Sequence, residues 1–297
     1  MALPSSRTGR PGPLWAVPAL AFFALFALLP MLIVVGLSFT RWSGIDQPQF
    51  TGFDNWAHLA DDAQLLPSFR LTVVLTLASW VLQTAVALPL GVWAAAPGRP
   101  RAVLAAIWFV PLLMSSAAIA ILWGLLLDPN FGLASVLGPL VGVDDGNFIG
   151  NPDLALWVCI AVIAWQFVPF HVLLYQGATR RIPETLYEAA RLDGASKLQR
   201  FRAVTVPQLR NTIVTSSVLM LVGSLTYFEI ILILTGGGPG TATRVLPLHM
   251  YLEGFSSFDM GYASVIAVLL LVLGTGLSIF VTRVTGYARM DSQTEGM

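Results

Sequence analysis

The chain has 297 residues, 56% of them hydrophobic and 11% charged, with a mean hydropathy of +0.75. A soluble domain carries about 25% charged residues, so a soluble enzyme, a nucleic-acid binder and a disordered chain are all disfavoured, and lipid is the expected solvent. Formal net charge is zero, with 16 basic and 16 acidic residues, and the single cysteine, Cys159, excludes an intrachain disulfide and a cysteine metal cluster.

A bilayer core about 30 Å thick needs roughly 20 apolar residues as helix. Six stretches reach that length, near 14–39, 69–95, 102–127, 154–179, 208–235 and 262–284. The expected organisation is a tail at 1–13, a six-helix membrane domain at 14–284 and a tail at 285–297. Arg7 and Arg10 precede the first stretch as in a signal peptide, but its apolar core runs far past the 7–15 residues, roughly, of a signal segment, so it reads as a retained helix. Met114, Ser115 and Ser116 in the third stretch are small or flexible and receive no role. Pro169 should kink the fourth. Uninterrupted apolar runs such as 265–273 exclude the alternation of a membrane β-barrel, leaving an all-α membrane fold.

Orientation follows from arginine and lysine. Thirteen of the 16 basic residues fall on the side of the N-terminus, among them Arg99, Arg101, Arg180, Arg181, Arg191, Lys197 and Arg200. The other side holds ten acids, including Asp62, Asp128 and Asp259. Both termini are therefore expected in the cytoplasm. The outer loops 40–68, 128–153 and 236–261 are long and rich in Gly, Pro, Asn and Asp, whereas 96–101 is a bare turn and 180–207 is the one substantial cytoplasmic loop. No G-x-x-x-x-G-K-[ST] occurs, so no P-loop nucleotide site is expected on this chain.

The 180–207 loop carries the sharpest pattern. Pro183 and Glu184 suit a helix start, Leu186, Tyr187, Ala189, Ala190 and Leu192 fall at helical spacing, and Gly194 suits its end. A second short helix over 196–204 follows. The small side chains of Ala189 and Ala190 leave a low surface that a partner can approach, with Glu188 as a charged acceptor beside them.

This segment matches the motif of bacterial ABC importer permeases: Glu188-Ala189-Ala190, Gly194, then Val204-Thr205-Val206-Pro207. Ile182-Pro183, Phe53-Asp54-Asn55-Trp56 and Leu234-Thr235-Gly236-Gly237-Gly238-Pro239 resemble the carbohydrate-importing branch, the maltose and glycerol-phosphate type. The resemblance implies a type I permease fold with a coupling helix at Glu188, Ala189, Ala190 and Gly194. The implied partners are a cytoplasmic ATPase dimer that holds the ATP and Mg, a second homologous permease as a heterodimer, and an extracytoplasmic sugar-binding protein. It implies a bacterial cell-membrane protein with no catalytic residue, metal or cofactor of its own.

Glu229 is the one acid well inside a span, and an acid at a helix centre in lipid costs roughly 2.5–3.5 kcal/mol, so it should face the bundle interior or a wet cavity. By the resemblance, Ser224 and Tyr227 on the fifth span and Gln166, Phe167 and Phe170 on the fourth fall near sugar-contacting positions, and Glu229 matches a position that is often acidic. The family positions corresponding to Ser224 and Tyr227 are asparagines, and Phe167 replaces a small residue, so the sugar itself does not carry over. Two alternatives stay open. Import of another solute, such as glycerol phosphate or a polyamine, is one; the absence of Lys or Arg at mid-span favours a neutral sugar. An intramembrane serine protease is the other, but Gly223-Ser224 lacks the second glycine and His171 has no evident partner.

Overall fold

The computed structural model describes residues 13–285, so the outermost tail residues, with Arg7, Arg10 and Arg289, lie outside it. Among the described residues, four helices are long and apolar enough to cross a membrane. They are α1 (Val17–Leu37), α3 (Leu65–Ala95), α8 (Ala155–Thr179) and α15 (Met260–Val284), with the short α2 (Asp54–His58) between the first two. The stretch expected as one third span is divided into α4 (Arg99–Trp108), α5 (Val110–Leu113) and α6 (Ser116–Leu126). After it come α7 (Ala134–Leu137), and, beyond α8, α9 (Glu184–Leu192), α10 (Lys197–Arg200) and α11 (Val206–Gln208). The expected fifth span is two helices, α12 (Arg210–Ser224) and α13 (Glu229–Thr235), bent by 50° where they meet. α14 (Leu246–Tyr251) precedes α15. One departure from all-α is a two-residue hairpin, β1 (Thr40–Arg41) with β2 (Gln49–Phe50).

Both unforeseen breaks have local causes. Pro111 has no N–H to continue α4, and Ser115 starts α6 afresh by accepting the Ala118 N–H at 3.2 Å. In the fifth stretch no proline intervenes. There the hydroxyls of Ser224 and Thr226 donate to the carbonyls of Leu221 and Gly223, each at 2.7 Å, and compete with the helix ladder. Pro169, by contrast, lies within the unbroken α8, so the expected kink there does not interrupt the helix.

Contacts divide the chain into two units. The first takes in residues 13–61 and 253–268. None of the residues of its α1 is fully buried within the chain, the pattern of a helix whose solvent is lipid or another subunit. Asn55 clamps the chain after α1 by donating to the carbonyls of Thr40 at 2.8 Å and Ser38 at 3.1 Å. Gly261 packs directly on the Thr40 carbonyl, where a Cβ would collide with it.

The second unit spans 62–252 and 269–285. Its centre is α3 against α8 and α12. Ser68, Thr72, Thr76, Ser79, Gln83, Ala87, Gly91 and Ala94 recur every three or four residues along one buried face of α3. Small side chains let membrane helices approach, and hydroxyls tie them. At Gly91 an added Cβ would stand 2.6 Å from Tyr175 Cβ. Trp80 Nε1 donates to Ser217 Oγ at 2.9 Å, and Ser224 Oγ meets Thr76 Oγ1 at 2.7 Å. Beyond α6, the backbone N–H groups of Phe131 and Asn130 bond the Asp128 carboxylate and hold its pKa below the usual carboxylate range.

Candidate functional site: a cavity between two broken helices and a capped surface loop

A cavity of about 490 Å³ opens in the second unit where the two interruptions lie side by side. Leu112 and Ser116 flank the break between α5 and α6; residues 226–228 belong to the break between α12 and α13; α8 supplies Phe167, Phe170 and His171. Irregular backbone at membrane depth is tolerated where it is buried in protein or borders a wet cavity, which is where both breaks fall. Phe167 and Tyr227 stack across the cavity wall, ring centroids 5.0 Å apart and planes 19° from parallel. Glu229 begins α13 and is exposed into the cavity rather than buried inside a continuous helix, with Thr226 exposed beside it.

Four of the six residues expected along the substrate path therefore line one cavity: Phe167, Phe170, Tyr227 and Glu229. Two do not. Gln166 is 5% exposed and stands behind the wall, its Nε2 donating to Ser116 Oγ at 3.4 Å, while its Oε1 has no protein partner. Ser224 is fully buried and faces α3, where its Oγ meets Thr76 Oγ1; in this conformation it joins helices and does not border the cavity. His171, which showed no partner in the sequence, pairs through Nδ1 with Ser216 Oγ at 2.8 Å. Sequence reasoning passed over Ser116, although it lines the cavity and receives Gln166. Its adjacency to Ser115, an N-cap residue type, was the available signal. Among the described residues no cluster of three His, Cys, Asp or Glu is placed to hold a metal.

The 180–207 loop folds as a closed knob. Pro183 sits one residue earlier than expected, at the N-cap of α9, and Arg191 on the last turn pairs with Glu184 on the first. The helix ends in a complete Schellman motif. Gly194, at φ +76°, donates to Arg191 O at 3.0 Å, and Ala195 donates to Ala190 O at 2.9 Å. Ser196 then opens α10 with a capping box: its Oγ accepts Gln199 N–H at 3.3 Å and its N–H donates to Gln199 Oε1 at 2.8 Å. A π-turn, Phe201–Thr205, carries the chain into α11, and the Tyr187 hydroxyl meets Thr205 Oγ1 at 2.9 Å to fasten the two arms. Glu188 and Ala189 are exposed on the outward face, Ala190 is half-buried, and Leu192 stands 89% exposed at the tip.

The Gly-rich segment after α13 is a tied knot. Gly236, Gly237 and Gly240 take left-handed conformations. The buried Thr243 ties them by donating to Gly238 O at 2.9 Å and meeting Thr235 Oγ1 at 2.7 Å. Arg244 donates to His249 Nδ1 at 2.9 Å, which leaves the His249 Nε2–H for Asp62, 2.7 Å away.

Comparison with known proteins agrees with this architecture. A probable ABC transporter permease protein of Bacillus subtilis, YurN, is 35% identical over 275 residues, covering 90% of this chain and 92% of that one. The trehalose/maltose transport system permease protein MalF of Thermococcus litoralis is 30% identical, covering 95% and 96%. Among solved structures, a bacterial alginate ABC transporter in complex with a pentasaccharide-bound periplasmic protein has a chain with TM-score 0.77 at 23% identity, covering 91% of this chain and 92% of that one. It shares the fold. The family model for the binding-protein-dependent transport system inner membrane component matches residues 87–286, from within α3 past the end of α15, and the chain belongs to that family.

Proposed function

We propose that this chain is the membrane permease of an ATP-driven sugar importer and that the cavity at the two helix breaks is where sugar passes. The observation that carries this reading is the lining: a stacked aromatic pair, Phe167 and Tyr227, beside Phe170, with Glu229 and Thr226 among them. Sugars present apolar ring faces and hydroxyls. Aromatic rings take the first, and a carboxylate and hydroxyls take the second. Glu229 is the charged side chain of that lining and would repel an anionic solute, which favours a neutral sugar.

The remaining assignments follow the chain's charge pattern and its relatives. The 180–207 loop and both termini face the cytoplasm of a bacterial cell. The exposed Glu188 and Ala189 dock into a separate ATPase, which binds ATP and Mg and performs the hydrolysis. Ala190 and Gly194 shape the helix that makes this contact. A second, homologous permease completes the pathway, and an extracytoplasmic sugar-binding protein meets the outer loops. ATP-driven closure of the ATPase moves the knob, and the knob tilts the spans. It transmits motion because its contacts differ between the two states.

The test is Glu229→Gln in the reconstituted complex, with uptake of the ligand of the cognate binding protein as the readout. We expect uptake to fall about tenfold, as for loss of a charge-assisted hydrogen bond of about 1.4 kcal/mol, with assembly intact. Unchanged uptake would remove Glu229 from the pathway.

A further inference from the structure

A second cavity, of about 600 Å³, lies beneath the coupling helix, away from the sugar path. Its volume is within the roughly 300–1,000 Å³ of small-molecule sites. Four cations from three parts of the chain line it: Arg180 after α8, Arg191 on α9, and Lys197 and Arg200 on α10. Glu184 is the one acid of the lining, and Arg191 already pairs with it. The carbonyl ends of α3 and α8 also approach, and Arg180 Nε donates to one of those carbonyls, Ala95 O, at 3.3 Å. Two helix ends carry about −0.5 charge each, too little to cancel the net positive charge of the side chains. Within this lining the Arg200 Nε is buried and has no protein partner, although a buried guanidinium N–H ordinarily finds an acceptor. A cytoplasmic surface is expected to be basic, but that expectation explains the sign of the charge and not its convergence on one concavity.

We infer that this cavity binds a phosphate ester, seated between Lys197, Arg200 and Arg180, which braces the coupling helix against the ends of α3 and α8. Arginine forks and lysine ammonium groups are the usual phosphate donors. The remaining wall suits the organic part of such an ester: Val92, Ala96 and Phe201 are apolar, and the Tyr187 hydroxyl stands beside them. The inward face of α9, through Glu184, Tyr187 and Arg191, belongs to this site, while Glu188 and Ala189 face outward. One short helix therefore presents one side to the ligand and the other to the ATPase, and an occupied cavity stiffens it. The inference rests on the cytoplasmic placement of this loop in the proposed function.

Two sources offer the same chemistry, an anionic phospholipid headgroup and a soluble sugar phosphate. The purified transporter complex is examined by native mass spectrometry after exchange into phosphatidylglycerol or phosphatidylcholine nanodiscs. In a second arm, glucose 6-phosphate is titrated calorimetrically into the phosphatidylcholine sample. Retained phosphatidylglycerol, reduced about tenfold by Lys197→Gln or Arg200→Gln (about 1.4 kcal/mol), identifies the headgroup as ligand. Saturable glucose 6-phosphate binding with the same loss identifies the soluble ester. Lys197 is exposed, so its variant reports binding even where Arg200→Gln fails to assemble. Both arms read binding directly, and failure of sugar uptake leaves them interpretable. Absence of binding in both, or binding that ignores Lys197→Gln, overturns the site.

Discussion

In the 180–207 knob, the bonds that set its shape are short in sequence: three residues between Ser196 and Gln199, five between Ala190 and Ala195, 18 between Tyr187 and Thr205. In the packing behind the cavity they are long. Gln166 reaches Ser116 across 50 residues, and Ser224 reaches Thr76 across 148. The surface device proposed to fit a separate protein is built from caps and turns, whose rules are written locally. The cavity proposed to accommodate cargo is assembled by packing, and its walls belong to the tertiary structure. The contrast implies that substitutions in the knob act through backbone conformation, whereas substitutions in the cavity act through side-chain contacts.

The largest effect expected from this contrast is at Gly194. At φ +76° a β-branched residue is strained although no atom stands within 4 Å of its Cβ position. Gly194→Val should disturb the Schellman motif at about 1–2 kcal/mol, lowering binding-protein-stimulated ATP turnover about tenfold. Normal stimulation would show that the knob does not depend on its cap. Next is Tyr227→Ala, which removes the stack on Phe167, worth about 0.5–1.5 kcal/mol beyond burial. Uptake KM should rise several-fold with basal ATP turnover unchanged; an effect on turnover alone would move Tyr227 out of the sugar path. The smallest concerns Ser224→Ala, which loses the bond to Thr76, about 1 kcal/mol. A Tm lowered by about 2–4 °C with unchanged uptake KM fits a helix tie. A raised KM would restore Ser224 to the path the sequence suggested.

The same contrast explains what the sequence made legible. Gly194 and the start of α9 near Pro183 were readable because a helix end depends on its neighbours. Gln199 as the partner of Ser196 was equally local, but it needed the capping-box pattern to be sought three residues on. The 50° bend between α12 and α13 was hidden, because Ser224 and Thr226 are common inside membrane helices and they break this one by taking carbonyls that hydropathy does not weigh. Pro169 drew attention as an expected kink and lies within an unbroken α8, whereas the third stretch, which contains Pro111, is interrupted at Met114. Phe167, Phe170, Tyr227 and Glu229 converge, but no periodicity within the separate stretches carries that convergence.

The paired interruptions have a consequence for how such a chain can change over generations. Where a helix is continuous, each side chain is locked to a register shared with its whole length. At Met114 and at 225–228 that register lapses. A substitution beside these gaps alters what the opening admits without re-phasing a bilayer-length rod, so new cargo can be acquired while the scaffold and its motor attachment stay as they are.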